Sequence, residues 1–275
     1  MLRKLATFVG FFVVSSSGCD QGMEADLELA DEAEDRSGAV VPASRRLSLF
    51  VMGNAAAKNE ILAYRRSIDG VPVLAGSYPT GGQGTGGGLG SQGSVVLDET
   101  GEWLFVVNAG SDEISAFQVT RDQLVLRDIV PSGGDRPVSV TVHGDVLYVL
   151  NAGDANATPA TASNITGFTL DEGRLTPLAG STRALSVASA NPAQVGFSPD
   201  GSTLVVTERA TQQLTSFPVD VQGVAGDPVF TPSSGMTPFG FEFADDDTLV
   251  VAEAFGGAAA ASAASSYRLE DGVPV

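Results

Sequence analysis

The stretch Thr203-Leu204-Val205-Val206-Thr207-Glu208-Arg209 is a short apolar run that ends on charged residues. The same device recurs at Leu104-Phe105-Val106-Val107-Asn108, at Leu147-Tyr148-Val149-Leu150-Asn151 and at Leu249-Val250-Val251-Ala252-Glu253. A degenerate copy stands at Leu49-Phe50-Val51-Met52-Gly53-Asn54. Runs this short that turn polar at the fifth or sixth position read as strands, because a helix would need ten or more periodic residues. The leading leucines lie 43 to 57 residues apart. An all-strand unit recurring at about this interval is the sequence mark of a β-propeller.

The rest of the unit falls into register around that run. An inner strand precedes it at Ser94–Leu97, Pro137–Val142, Pro192–Phe197 and Pro238–Phe243, opening with proline in the last three. A tight turn joins the two; Pro199-Asp200-Gly201 is the strongest example, since proline and glycine supply the φ values a turn requires. A third strand follows, with an aromatic at one place: Tyr64, Phe117, Phe168, Phe217 and Tyr267. These aromatics, and Trp103, read as packing between blades, not as ligand platforms. A weaker outer strand closes each unit at Val71–Leu74, Gln123–Leu126, Arg174–Leu178, Val224–Phe230 and Val273–Val275. The fold class is therefore all-β, a propeller of four-stranded antiparallel blades over residues 47–275, with about four and a half blades represented. The first unit has no inner strand of its own, and the expectation is a truncated ring. If each open blade face left ~400 Å² of apolar surface wet, the loss would be on the order of 20 kcal/mol as an upper figure.

Composition bounds the function. Glycine is abundant (33 of 275 residues) and the net charge is −18, with 33 acidic against 15 basic residues. A nucleic-acid partner needs a concentrated Lys/Arg face, and none exists. Residues 1–19 read as a targeting signal. Arg3 and Lys4 precede an apolar run from Leu5 to Val14, too short to span a bilayer. Ser16-Ser17-Gly18-Cys19 then resembles a bacterial lipoprotein signal, in which Cys19 is lipidated; the alternative is a plain secretory signal with an incidental cysteine. Either places the protein outside the cytoplasm, with membrane contact only through Cys19. Cys19 is the single cysteine, so no disulfide is available. Residues 20–46 are acidic and poor in buried-type residues, as expected of a disordered tether.

Three passages carry a family resemblance. Asp171-Glu172-Gly173-Arg174-Leu175-Thr176-Pro177-Leu178, Pro192-Ala193-Gln194-Val195-Gly196-Phe197-Ser198-Pro199-Asp200-Gly201 and Leu204–Arg209 resemble the lactonase-family β-propellers. That family includes bacterial propeller-type 6-phosphogluconolactonases and fungal carboxymuconate-lactonizing enzymes. The resemblance implies a seven-bladed ring and, as activity, hydrolysis of a sugar lactone or similar cyclic ester.

Chemistry is expected at one end of the ring. The hairpin of inner and leucine-led strands puts all tight turns at one end and the long loops at the other: Thr80–Gly93, Ala152–Ser163, Leu178–Asn191, Thr231–Thr237 and Ala254–Ala263. Variable loops on a rigid scaffold commonly carry binding. Asn108, Asn151, Glu208 and Glu253 close the leucine-led strands toward this mouth, and Arg209, Arg136 and Arg183 come from neighbouring positions. On the catalytic reading, Glu208 or Glu253 is a general base on water and Arg209 polarises a lactone carbonyl, while Asn108, Asn151, Arg136 and Arg183 bind substrate. On the competing reading, these side chains cap loop backbone groups. A non-enzymatic propeller binding a small ligand or a protein partner at the same mouth is the alternative function. No cofactor and no metal are expected. His143 is the only histidine and falls at the tight-turn end, which excludes a histidine-based triad. Gly82-Gln83-Gly84-Thr85-Gly86-Gly87 matches a nucleotide-loop pattern by letter, but no helix follows, and it reads as a flexible loop. Asp245-Asp246-Asp247 reads as a solvated turn.

Overall fold

A computed structural model describes residues 46–244 and 248–275. The signal segment, Cys19, nearly all of the acidic tether and the Asp245–Asp247 turn lie outside the described residues. No helix of the described residues is long and apolar enough to cross a membrane.

Among the described residues, twenty strands form five antiparallel sheets, the blades. Blade 1 has three strands: β1 (Leu47–Met52), β2 (Glu60–Arg66) and β3 (Pro72–Pro79). Blade 2 has β4 (Val95–Leu97), β5 (Trp103–Asn108), β6 (Glu113–Val119) and β7 (Leu124–Pro131). Blade 3 has β8 (Pro137–His143), β9 (Val146–Asn151), β10 (Asn164–Asp171) and β11 (Arg174–Pro177), with β12 (Arg183–Ala184) continuing its outer edge. Blade 4 has β13 (Pro192–Phe197), β14 (Thr203–Glu208), β15 (Gln213–Pro218) and β16 (Val229–Pro232). Blade 5 has β17 (Pro238–Phe243), β18 (Thr248–Glu253), β19 (Ala263–Glu270) and β20 (Val273–Pro274). Apart from β12, which pairs with β10, each strand pairs with a sequence neighbour, the order a meander of hairpins produces.

The leucine-led strands carry the core because both their faces are covered. Leu204, Val205 and Val206 of β14 are fully buried, as are Leu147 to Leu150 of β9. Strand period 2 sends alternate side chains to opposite blades. Tyr148 and Leu150 pack on Leu204 and Val206 of blade 4, while Leu147 and Val149 pack on Phe105 and Val107 of blade 2. Of the repeated aromatics, Phe117, Phe168, Phe217 and Tyr267 are buried and Tyr64 is half-buried. Trp103 packs into the seam between blades 2 and 3, over Gly173. Gln194 joins inner strands directly: its Nε2 donates to Phe241 O at 2.9 Å and its Oε1 accepts from Phe241 N at 3.0 Å.

Candidate functional site

The mouth is built by one local motif used three times. The residue before each inner-strand proline is left-handed: Arg136 (φ 55°), Asn191 (φ 49°) and Thr237 (φ 59°). In blade 2 Gly93 is also left-handed (φ 70°), but its carbonyl accepts from Val140 N of the next inner strand instead. The carbonyl of each non-glycine member accepts the N–H just past the leucine-led strand: Ala152 N to Arg136 O at 2.9 Å, Arg209 N to Asn191 O at 3.3 Å, Ala254 N to Thr237 O at 3.0 Å. The preceding carbonyls repeat the bond with Gly153, Ala210 and Phe255. The turn thus carries the side chains of Arg136, Asn191 and Thr237 onto equivalent rim positions of successive blades. A non-glycine residue held there costs about 1 kcal/mol or more, and the ladder bonds offset it.

One guanidinium of this rim is held in place, that of Arg209. Arg209 Nε and Nη2 donate to Asn191 O (3.1 Å) and Asn191 Oδ1 (2.7 Å). Its guanidinium carbon sits 5.4 Å from the centre of the Phe239 ring, a cation–π distance. Burial pulls the Arg209 pKa below its ordinary value, and the positive charge of Arg136 pulls it the same way. Among the described residues the one ion pair is His143 with Glu99, so neither arginine has a carboxylate partner. Arg136 is thus near enough for its charge to act on Arg209, and two cations without a carboxylate partner make this rim the candidate site for an anion.

Asn108, Asn151, Glu208 and Glu253 lie one layer below the rim, and all four are buried. Asn108 Oδ1 accepts from Asn59 Nδ2 (3.0 Å) and Thr80 Oγ1 (2.7 Å), and its Nδ2 donates to Ser115 Oγ (2.8 Å). Asn151 Nδ2 donates to Ser132 O (3.2 Å) and Asn164 Oδ1 (3.0 Å). Glu208 accepts four bonds, from the N–H and hydroxyl of Ser186, from Thr211 Oγ1 and from Thr215 Oγ1. Glu253 Oε1 accepts from Ser233 Oγ at 2.7 Å, while its buried Oε2 has no partner. These bonds tie the incoming loops to the strands beneath them mostly through side-chain hydroxyls and amides; loop backbone is met only by Asn151, at Ser132 O, and Glu208, at Ser186 N. Fully buried, with both oxygens already accepting from these four donors, the Glu208 carboxylate offers no free oxygen to a water at the mouth. The geometry therefore takes the general-base role away from Glu208. Glu253 is equally closed to solvent.

Arg183 is not at the mouth. Its Nε donates to Gly226 O (2.9 Å) and its Nη1 to Gly180 O (2.7 Å) and Thr182 O (2.9 Å), at the outer seam between blades 3 and 4. Its place on the outer-edge strand β12 explains this. His143 stands at the tight-turn end, 3.2 Å from Glu99, with its ring tilted 46° to that of Phe197 at 5.7 Å between centres.

The glycine-rich loop is tightly held, contrary to the flexible reading. Gly84 N donates to Ala55 O and Gly86 N to Asn54 O; a Cβ on Gly84 would stand 2.3 Å from the Asn54 carbonyl. Its second half crosses the ring opening. Ser91 Oγ donates to Val138 O (2.8 Å), Gln92 N to Ala193 O (2.9 Å), and Gly93 O accepts from Val140 N (2.8 Å). Gly90 lies against Arg209. Sequence reasoning missed this crossing and the left-handed rim; the X-Pro pair opening three inner strands was the available signal for the rim.

The comparisons agree with this architecture. The family model described as "Lactonase, 7-bladed beta-propeller" matches residues 93–257, more than half of the chain. No curated protein matches in sequence. Among solved structures, a candidate 6-phosphogluconolactonase from Bacteroides fragilis superposes with TM-score 0.60 at 17% identity, covering 78% of this chain and 63% of its own. A protein from Lactobacillus plantarum gives TM-score 0.64 at 19% identity, covering 86% and 68%. The periplasmic gluconolactonase of Pseudomonas aeruginosa gives 0.51 at 20% identity, covering 75% and 63%. The chain thus spans 63% of the length of the first of these. At such identities the superpositions speak for the fold. Through its family match, the chain belongs to the seven-bladed β-propeller lactonases.

Proposed function

We propose that this protein binds an anionic cyclic ester, a sugar lactone bearing a carboxylate or phosphate, at the Arg136–Arg209 rim, and that it hydrolyses it there. The observation that carries the reading is the unpaired arginine couple. Arg209 is held rigid by Asn191 and by the Phe239 face, so little ordering is left to pay for on binding. Arg136 is exposed and supplies the second charge. An arginine aimed at the lactone carbonyl also stabilises the oxyanion that forms when water attacks. The site works by charge stabilisation, because Glu208 and Glu253 are sealed from the mouth.

The same sealing supports a second reading, an anion-binding propeller with no turnover. Hydrolysis of phosphorylated, carboxylated and neutral lactones, followed by acid release above the spontaneous rate, separates the two. Faster release confined to anionic lactones, and lost in Arg209→Gln, supports hydrolysis. Calorimetric binding of the product acid without turnover supports the second reading, and neither signal would end both. We place the protein outside the cytoplasm with Cys19 as its anchor; the support is the Arg3-Lys4 charge, the apolar run and the Gly18-Cys19 pair. Metabolic labelling with a fatty acid that Cys19→Ser abolishes is the test.

A further inference from the structure

The glycine-rich loop ends as a strap between the two rims that carry the arginines. Ser91 Oγ donates to Val138 O (2.8 Å) and Gln92 N to Ala193 O (2.9 Å). Val138 lies two residues past Arg136 and Ala193 two residues past Asn191, so the strap is fastened at equivalent positions of blades 3 and 4. Its other end is fastened just past β1, where Asn54 Nδ2 donates to Gly87 O (2.5 Å) and Asn54 O accepts from Gly86 N (2.8 Å). Midway, Leu89 is half-buried against the core cluster that holds Phe105, Val107 and Val140. A segment pinned at both ends and in the middle keeps its main-chain direction.

Between those pins the main-chain donors are uncommitted. Among the described residues the N–H groups of Gly88, Leu89, Gly90 and Ser91 donate to no protein group. Side chains do not screen them: at Gly87 and Gly88 nothing lies within 4 Å of where a Cβ would stand. Gly90 is left-handed (φ 64°), and a Cβ there would stand 3.0 Å from Arg209 Nη1. Nη1 is also the guanidinium nitrogen without an acceptor, since Nε and Nη2 are both committed to Asn191. Uncommitted donors of the main chain and of a cation therefore stand side by side. Runs of main-chain N–H groups in turn-like backbone make concavities that bind anions.

We infer that the strap supplies the second half of the anion site: the N–H groups of Leu89 and Gly90 hold the same anionic group as Arg209 Nη1. The inference rests on the anion-binding reading of the rim and deepens it. A pinned main-chain donor is already in place before binding, so the strap fixes where the anion's oxygens lie while Arg209 supplies the charge. Glycine at position 90 is then required twice, for its φ and for the room it leaves Nη1. On the hydrolytic reading the strap positions the ester and takes no part in proton transfer.

The test replaces single amides of the full chain by esters, with the α-hydroxy acid of leucine at 89 or of glycine at 90. Each exchange deletes one N–H and no side chain, and the carbonyls ahead of them, Gly88 O and Leu89 O, accept no bond among the described residues. The control is the same exchange at Gly180, whose N–H also has no acceptor among the described residues but lies at the outer seam beside Arg183. Calorimetry with inorganic phosphate and with gluconate reads the affinity. Each strap ester should bind about 10–100-fold more weakly. The Gly180 ester should bind as the parent does, and all should unfold at the parent's temperature. Combined with Arg209→Gln, a strap ester should lose less than the two separate effects together, because both changes release one anion. Strap esters that bind like the parent while Arg209→Gln does not would overturn this inference and leave the arginine reading intact. Fully additive losses, or a loss matched by lower thermal stability, would overturn it as well. A parent that binds neither probe would end both. If an ester variant fails to fold by circular dichroism, Gly90→Ala replaces it with the same expected loss of binding.

Discussion

Asn191 holds Arg209 twice, through its carbonyl oxygen at 3.1 Å and its side-chain Oδ1 at 2.7 Å, and it does so from a left-handed backbone (φ 49°). The asparagine therefore sets the direction of the guanidinium while adding no negative charge to the rim. Asn191→Asp keeps the shape and supplies a counter-ion. Anion binding should fall about 10–100-fold, the range expected when one charge-assisted contact is lost. Calorimetry with inorganic phosphate or a sugar acid measures it, and a neutral lactone should be unaffected.

Glu208→Gln discriminates a structural from a catalytic carboxylate. Glu208 is fully buried and accepts four hydrogen bonds. A glutamine must turn an NH₂ toward groups that already donate, leaving buried donors facing one another. We expect a loss of about 2–4 kcal/mol in denaturant unfolding. A variant as stable as the parent but inactive would restore the general-base assignment.

Gly110→Ala tests how the glycine-rich loop is seated. A Cβ there would lie 2.0 Å from Gly84 O, a main-chain atom that cannot swing aside. The loop must lift, and the variant should lose roughly 3 kcal/mol or more of stability. Anion binding should weaken with it, since Gly90 of the same loop lies against Arg209.

Tyr148 ties blade 3 to the outer turn of blade 4. Its hydroxyl donates to Gly223 O (2.8 Å) and accepts from Ala225 N (2.7 Å). Tyr148→Phe leaves both main-chain groups unpaired and should cost about 1–3 kcal/mol. Burial raises the Tyr148 pKa above its ordinary value, with the Ala225 bond and Arg183 opposing. The folded state therefore keeps the proton longer than the unfolded one. Its contribution is complete below about pH 10 and declines as pH rises through the folded pKa. The parent should lose stability at strongly alkaline pH more steeply than Tyr148→Phe.

Much of the fold was legible along the chain. The inner strands predicted at Pro192–Phe197 and Pro238–Phe243 are β13 and β17 to the residue. The missing inner strand of the first unit is likewise seen in the three strands of blade 1. Strand alternation and turn residues are local properties, so spacing alone exposes them. The site was less legible. Arg136 and Arg209 were named, but so was Arg183, because a strand-end position does not tell an axial guanidinium from one on an outer edge.

Sequence by itself determined the repeating hairpin, the end of the ring at which the long loops gather and the excess of negative charge. Those follow from side-chain period and turn chemistry, which act between near neighbours. Only the tertiary structure decided that Glu208 and Glu253 are sealed beneath the loops while Arg136 and Arg209 stand unpaired above them. That division depends on which segment of a neighbouring blade covers a given strand end, and burial of this kind is settled by contacts between residues far apart in the chain.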